Sequence, residues 1–231
     1  MVYSYFTMKA GLDNSSYMSC EDLINWCGMK VDRHKGASND KFSECLAAMQ
    51  EHGYIRGFDK TLYKTKNILI PIYVNEDKFF PTSNYGIIYE NELNFLRKYK
   101  TRNTRVTNST LLLLLSYFRC NIMNRSEFQS KTKKPEFCYR LLTQISTDLG
   151  LSTAVVKKSI DILRDLELIE HRSAPRYKDK NGNWRSNVTM FVNRKKYNFD
   201  GTICAEYDYQ EELKHGEQYI LKKSFSKKTT L

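Results

Sequence analysis

The stretch that decides the fold runs Arg140-Leu-Leu-Thr-Gln-Ile145-Ser-Thr-Asp-Leu-Gly150-Leu-Ser-Thr-Ala-Val-Val156-Lys-Lys-Ser-Ile160-Asp-Ile-Leu163-Arg-Asp-Leu-Glu-Leu-Ile169-Glu170. Apolar residues recur at helical spacing on both sides of Gly150, which predicts two helices joined by a tight turn. Gly150 supplies a left-handed cap to end the first, and the Ser152 hydroxyl caps the second. Val156, Ile160 and Leu163 stand at i, i+4 and i+7, so they share the buried face of the second helix. Ser152, Thr153, Ala154, Lys157, Lys158 and Asp161 are then left facing outward.

Beyond Ile169 the pattern turns extended and basic as far as Lys178, then passes Asn181-Gly182 and continues as Trp184 to Val192. Asn-Gly between extended segments predicts a hairpin, because both residues tolerate the positive φ of a type I′ turn. Residues 172–196 hold Arg172, Arg176, Lys178, Lys180, Arg185, Arg194, Lys195 and Lys196 against one acid, Asp179. The net charge of +11 is unevenly divided: residues 1–100 carry 13 Lys/Arg against 12 Asp/Glu, and residues 101–231 carry 24 against 14. A cationic stripe of this kind is the footprint of a polyanion binder, since cations there displace counterions from phosphates. The stretch lacks the apolar helical face that an anionic membrane surface would require.

The N-terminal region repeats the pattern. Phe42, Leu46 and Met49, followed by Gly53-Tyr54-Ile55, match Val156, Ile160 and Leu163, followed by Glu167-Leu168-Ile169, at a constant offset of 114 residues. Ser19 caps an expected helix from Cys20 to Cys27, with Gly28 as its stop. The turn that follows carries 8 more residues than its counterpart after Gly150, including Lys30, Arg33, His34 and Lys35. Outward positions expected on the next helix are Ser38, Asn39, Lys41, Ser43 and Glu44. Further along, Asn67 to Val74 is β-rich, with Pro71 marking an edge strand or a strand end. Tyr85 to Tyr89 is a second β-rich run, and Glu90 to Lys100 has helical spacing. Residues 101–110 are rich in Thr, Arg and Asn and suit a linker. Leu111 to Met123 is an all-round apolar core helix.

The segment from Ile145 to Ile169, with its basic hairpin, resembles the winged helix-turn-helix of bacterial DNA-binding proteins. It departs from that pattern at Glu167, where a glycine ordinarily precedes the two apolar residues; the first copy keeps the glycine at Gly53 but has the long turn. Two such motifs in one chain are similar to replication initiators of plasmids and phages of low-GC Gram-positive bacteria, and to regulators and conjugation accessory proteins of the same elements. The resemblance implies an α+β, mainly helical fold of two winged helix-turn-helix domains: 1–100, a linker at 101–110, 111–200, and a tail at 201–231. It implies a base-reading face of Ser152, Thr153, Ala154, Lys157, Lys158 and Asp161. A wing of Arg172, Arg176, Lys178, Lys180, Asn181 and Arg185 would contact the backbone or minor groove. In the first domain the corresponding positions are Ser38, Asn39, Lys41, Ser43 and Glu44, which are less basic, so that domain is expected to bind weakly or to serve dimerisation; Lys30, Arg33 and Lys35 of the long turn either reach a phosphate or belong to a solvated insertion. Double-stranded DNA is the expected partner, and a homodimer suits two-fold sites.

Composition excludes other classes. With 231 residues, 41% hydrophobic and 27% charged, the chain can bury a core, which excludes a disordered protein. The apolar run at Leu111–Leu115 is far too short to span a bilayer, and the first residues lack a secretory pattern, so a cytoplasmic protein is expected. Six scattered cysteines are expected to be reduced core residues, and neither they nor the four histidines have metal-ligand spacing. No phosphate-binding Gly-rich loop or Gly-x-Ser-x-Gly elbow occurs, and Glu211 and Glu212 are helical neighbours that point apart. The expectation is a DNA binder with no cofactor, no metal and no enzymatic activity. The alternative from another class is a protein-interaction module whose charge only solubilises.

Overall fold

A computed structural model describes residues 2–9, 11, 14–64, 68–75, 87–100, 105–122, 136–174, 177–178, 184–185, 188–197 and 202–226, with backbone alone at 3, 4, 7, 177, 178, 184, 185 and 221–226. The fold is α+β with two small three-stranded sheets. The chain divides into two compact units, one of Met1–Ser83 and Asn94–Tyr99, the other of Asn84–Leu93 and Lys100–Leu231. In the first unit the elements are α1 (Val2–Lys9), β1 (Ser15–Met18), α2 (Cys20–Trp26), α3 (Ser38–Glu51), β2 (Ile55–Arg56), α4 (Lys60–Tyr63) and β3 (Ile70–Val74). A helix α5 (Glu90–Lys98) begins within the second unit and ends within the first. The second unit continues with α6 (Asn108–Asn121), β4 (Cys138–Arg140), α7 (Leu142–Leu149), α8 (Thr153–Asp165), β5 (Ile169–Ser173), the short pair β6 (Tyr177–Lys178) and β7 (Trp184–Arg185), β8 (Thr189–Asn193) and α9 (Tyr209–Ser226).

Each unit lays down helix, strand, helix, helix, strand and a returning strand, and each sheet places the returning strand between the other two: β1-β3-β2 and β4-β8-β5. The 114-residue repeat read in the sequence is thus also a repeat of topology. It extends to the turns that close α3 and α8. Gly53 N–H donates to Gln50 O and Tyr54 N–H to Met49 O; Glu167 N–H donates to Arg164 O and Leu168 N–H to Leu163 O, at the same offset. Both turns need a left-handed residue, Gly53 at φ 72° and Glu167 at φ 57°.

The second unit covers both faces of its sheet. Met190, Phe191 and Val192 alternate in direction along β8 yet are all buried. Phe191 stacks on Phe118 of α6 with ring centroids 4.2 Å apart, while Met190 and Val192 pack with Phe137, Ala174, Leu213 and Ile220 under α9. Of the tail at 201–231, whose middle reads as helical and either packs on the second domain or stays free, the described residues supply α9, which packs on this sheet. The apolar face of α6, Leu111, Leu112, Leu114, Leu115 and Phe118, is buried as the sequence implies, although Leu113 stays exposed. Its start lies earlier than expected, because Thr107 caps it by accepting from Thr110 N at 3.1 Å. Val106 is buried, so the expected linker is already packed at that residue.

In the first unit, β1 and β3 bury alternate residues only. Met18, Ile70 and Ile72 face a core with Phe6, Leu23, Ile24, Phe42, Leu46 and Tyr63, and the other face of the sheet leaves Tyr17 64% exposed. Pro71 lies in the central strand, not at an edge as its type suggested. Its ladder to β2 stops at Arg56–Tyr73, so beside Pro71 there is a strand partner on one side only, Tyr17. Of the run 85–89, residues 85 and 86 lie outside the described residues, and 87–89 form no strand.

A buried ion pair fixes the start of α5 within the second unit. The Arg119 guanidinium of α6 grips the Glu92 carboxylate with both nitrogens, the longer contact 2.6 Å, and also donates to Ile87 O at 2.7 Å. Glu92 accepts from Tyr89 N at 3.1 Å as well, closing the helix N-terminus.

Candidate nucleic-acid interface

The turn between α7 and α8 is three residues long, 150–152. Gly150 takes φ 63°, and its N–H and that of Leu151 bond back to Thr147 O and Ser146 O. Ser152 accepts from Val155 N at 3.3 Å and so caps α8. Val156, Ile160 and Leu163 are buried as expected, joined by Ser159 and Ile162. Ser152, Thr153, Ala154, Lys157 and Lys158 are exposed, and Asp161 is half-buried. The exposed face of α8 is therefore a row of small and hydroxylated residues at the N-terminal end followed by two adjacent lysines. Short residues let a helix approach the floor of a groove, while lysines reach acceptors at its walls.

The basic stripe is less free than its sequence suggests. Arg172 pairs with Glu217 of α9 at 3.1 Å and donates to Gln210 at 3.3 Å. Arg194 sits between Glu170 at 3.3 Å and Glu167 at 3.6 Å, with its guanidinium 4.7 Å from the centre of the Tyr209 ring. Lys196 pairs with Glu136. Sequence reading missed these acids because they lie up to 60 residues away in the chain. Lys178 and Arg185 lie on β6 and β7, which pair antiparallel; their side chains are outside the described residues, as are Arg176, Lys180 and Asn181 entirely. An Asn181-Gly182 turn closed directly would set Lys178 opposite Arg185; the register sets it opposite Trp184 instead. His171, half-buried beside Arg172, has its pKa lowered chiefly by burial.

The first unit departs from expectation at three positions. Ser38, Asn39 and Ser43, read as outward, are buried. Ser38 Oγ accepts from Asp32 N at 2.9 Å and donates to Lys30 O at 2.8 Å. Asn39 Oδ1 accepts from the Cys20 thiol, whose pKa burial raises. For Ser38 the physical reason is the long turn, 27–37, which folds back on it; Asn39 turns in to Cys20 of α2, and Asn39 and Ser43 share the helical face of the buried Phe42 and Leu46. Lys30, Lys35, Lys41 and Glu44 are exposed, and Arg33 is exposed but held by Glu21. Cysteines follow the core expectation at Cys20, Cys27 and Cys138, whereas Cys45 is exposed.

No helix among the described residues is long and apolar enough to cross a membrane. No protein-family model, curated protein or solved structure matches the chain.

Proposed function

We propose that the chain binds double-stranded DNA at specific sequences, the second unit acting as a winged helix whose α8 enters the major groove, and that it serves as a replication initiator of a plasmid or phage. The observation that carries this reading is the open N-terminal face of α8, Ser152, Thr153, Ala154, Lys157 and Lys158, at the end of a three-residue turn. A recognition helix contacts base edges with those N-terminal residues, and strands following it touch the backbone. Two further features support it: the element order with the returning strand central in the sheet, and the basic strand pair β6–β7 after the helix. The same topology occurring twice suits iterated sites such as those of an origin.

Electrophoretic shift across a salt series, with fragments tiled from the gene's neighbourhood and unrelated DNA as competitor, tests the reading. The expected result is one fragment bound well above competitor, with affinity falling steeply as salt rises. Protection at repeated sites is the origin outcome; protection confined to a promoter would make the protein a transcriptional regulator. Absence of any shift at low salt would end the DNA reading.

A further inference from the structure

The two units share a topology but treat the helix after the turn in opposite ways. We infer that only α8 reads base edges, and that the first unit touches the duplex at its phosphates alone, through Lys30 and Lys35 of the turn between α2 and α3. The inference rests on the DNA-binding reading of the second unit and assigns the first unit's part in it.

Matching the two closing turns aligns α3 with α8 residue by residue at the 114 offset. Thr153 and Lys157, both exposed, then correspond to Asn39 and Ser43, which are 8% and 2% exposed. Four hydrogen bonds lay the inserted turn over the start of α3. Ser38 Oγ bonds to Lys30 O and Asp32 N; Asn39 N–H donates to Asp32 O at 3.1 Å, and Gly36 N–H donates to the Asp40 carboxylate at 2.9 Å. A helix docks in the major groove by its N-terminal residues. In α3 the turn is fastened over Ser38 and Asp40 while Asn39 and Ser43 are buried, so a groove would meet the turn first. Among the exposed residues of α3 one cation, Lys41, stands against two acids, Glu44 and Glu51.

At the turn itself the exposed cations are Lys30, Arg33 and Lys35, and Arg33 is engaged by Glu21. A lysine reads a base edge only where a docked helix lays it in the groove, as proposed for Lys157 and Lys158; on a turn that meets the duplex from outside the groove it finds phosphates. The turn can therefore add counterion release without adding sequence information.

The test uses the full chain with its cognate fragment and a scrambled duplex of the same length, over a salt series. K30A/K35A should weaken both duplexes by one common factor, leave their affinity ratio unchanged within about twofold, and make the log K against log salt slope shallower by about 2. K157A/K158A should reduce the ratio by at least about tenfold. A change in the ratio beyond about threefold in K30A/K35A would mean that the first unit reads sequence, and unchanged affinities and slope would mean that it does not touch DNA; either overturns the inference while leaving the second unit's role standing. A parent chain that binds both duplexes equally overturns the base-reading role of α8, and with it the inference.

Discussion

The two units start from one plan and finish it differently. In the second, the three-residue turn leaves α8 bare at its N-terminal end, and an added helix, α9, seals the far side of the sheet. In the first, the eleven-residue turn at 27–37 covers the same end of α3, and the far side of the sheet stays open at Tyr17 and Arg56. Stability and exposure are thus traded between different faces. The second unit buries its sheet on both sides and leaves the N-terminal end of α8 bare, whereas the first leaves one sheet face open and fastens its turn over α3 through Ser38. The charge follows the same division, since the cations in excess lie in the half of the chain whose helix face is open.

The largest expected effect concerns the ion pairs. Arg119 and Glu92 in the second unit are 5% and 4% exposed, so replacing Arg119 with Met strands a buried carboxylate and should cost about 3–5 kcal/mol of unfolding free energy by urea titration. Adding Glu92→Gln to that variant should restore part of the loss, because the uncompensated charge is gone. The first unit's pair, Arg33 with Glu21, is 39% and 29% exposed; Arg33→Ala should cost less than about 1 kcal/mol. Equal costs in the two units would break the contrast between a buried and a solvated pair.

The sheet faces give the next effect. Leu213 is buried under the second sheet with Phe137, Met190 and Val192, and Leu213→Ala should cost about 2–5 kcal/mol through lost burial and the cavity left behind. Tyr17→Ala on the open face of the first sheet should change stability by no more than about 0.5 kcal/mol. A large loss at Tyr17 would show that its face is covered in solution. Gly216 on α9 sharpens the same point, since a Cβ there would lie 3.2 Å from both Met190 Sδ and Phe137 Cγ. Gly216→Val should therefore lower the unfolding free energy, read by urea titration, by about 1–3 kcal/mol through overpacking.

These contrasts also mark where sequence reasoning reached. The caps at Ser19, Ser152, Gly28 and Gly150, and the buried row Val156, Ile160 and Leu163, were legible because each depends on neighbours within one helical turn. The 114-residue repeat was legible because a repeated core face repeats its apolar spacing. What stayed hidden depends on distant parts of the chain. The partners of Arg172 and Lys196 lie 45 and 60 residues away, so a local charge count overstated the free cations of the stripe. Asn39 and Ser43 read as outward because they are polar, although with Phe42 and Leu46 they stand at i, i+3, i+4 and i+7 on one helical face, where Asn39 turns in to Cys20 of α2. Pro71 read as an edge because a strand's length cannot be seen from its partner: β2 ends at Arg56, before it would reach the proline.

The smallest effect tests the alignment of the two units directly, because it predicts opposite signs at matched positions. Gly53 and Glu167 both hold left-handed φ at the turn that ends the helix, and a side chain there costs about 1 kcal/mol relative to glycine. Gly53→Ala should therefore destabilise the chain by about 1 kcal/mol. No atom lies within 4 Å of the added methyl, so the loss would be conformational and not steric. Glu167→Gly should stabilise it, by about 0.5–1 kcal/mol. Its contact with Arg194, 3.6 Å from a carboxylate that is 62% exposed, offsets little, and Arg194 retains Glu170 at 3.3 Å. Urea unfolding at constant m-value separates the two outcomes. Loss of stability in both variants would mean that Glu167 is held by contacts with no counterpart at Gly53, and that the two helices end alike in shape but for different physical reasons.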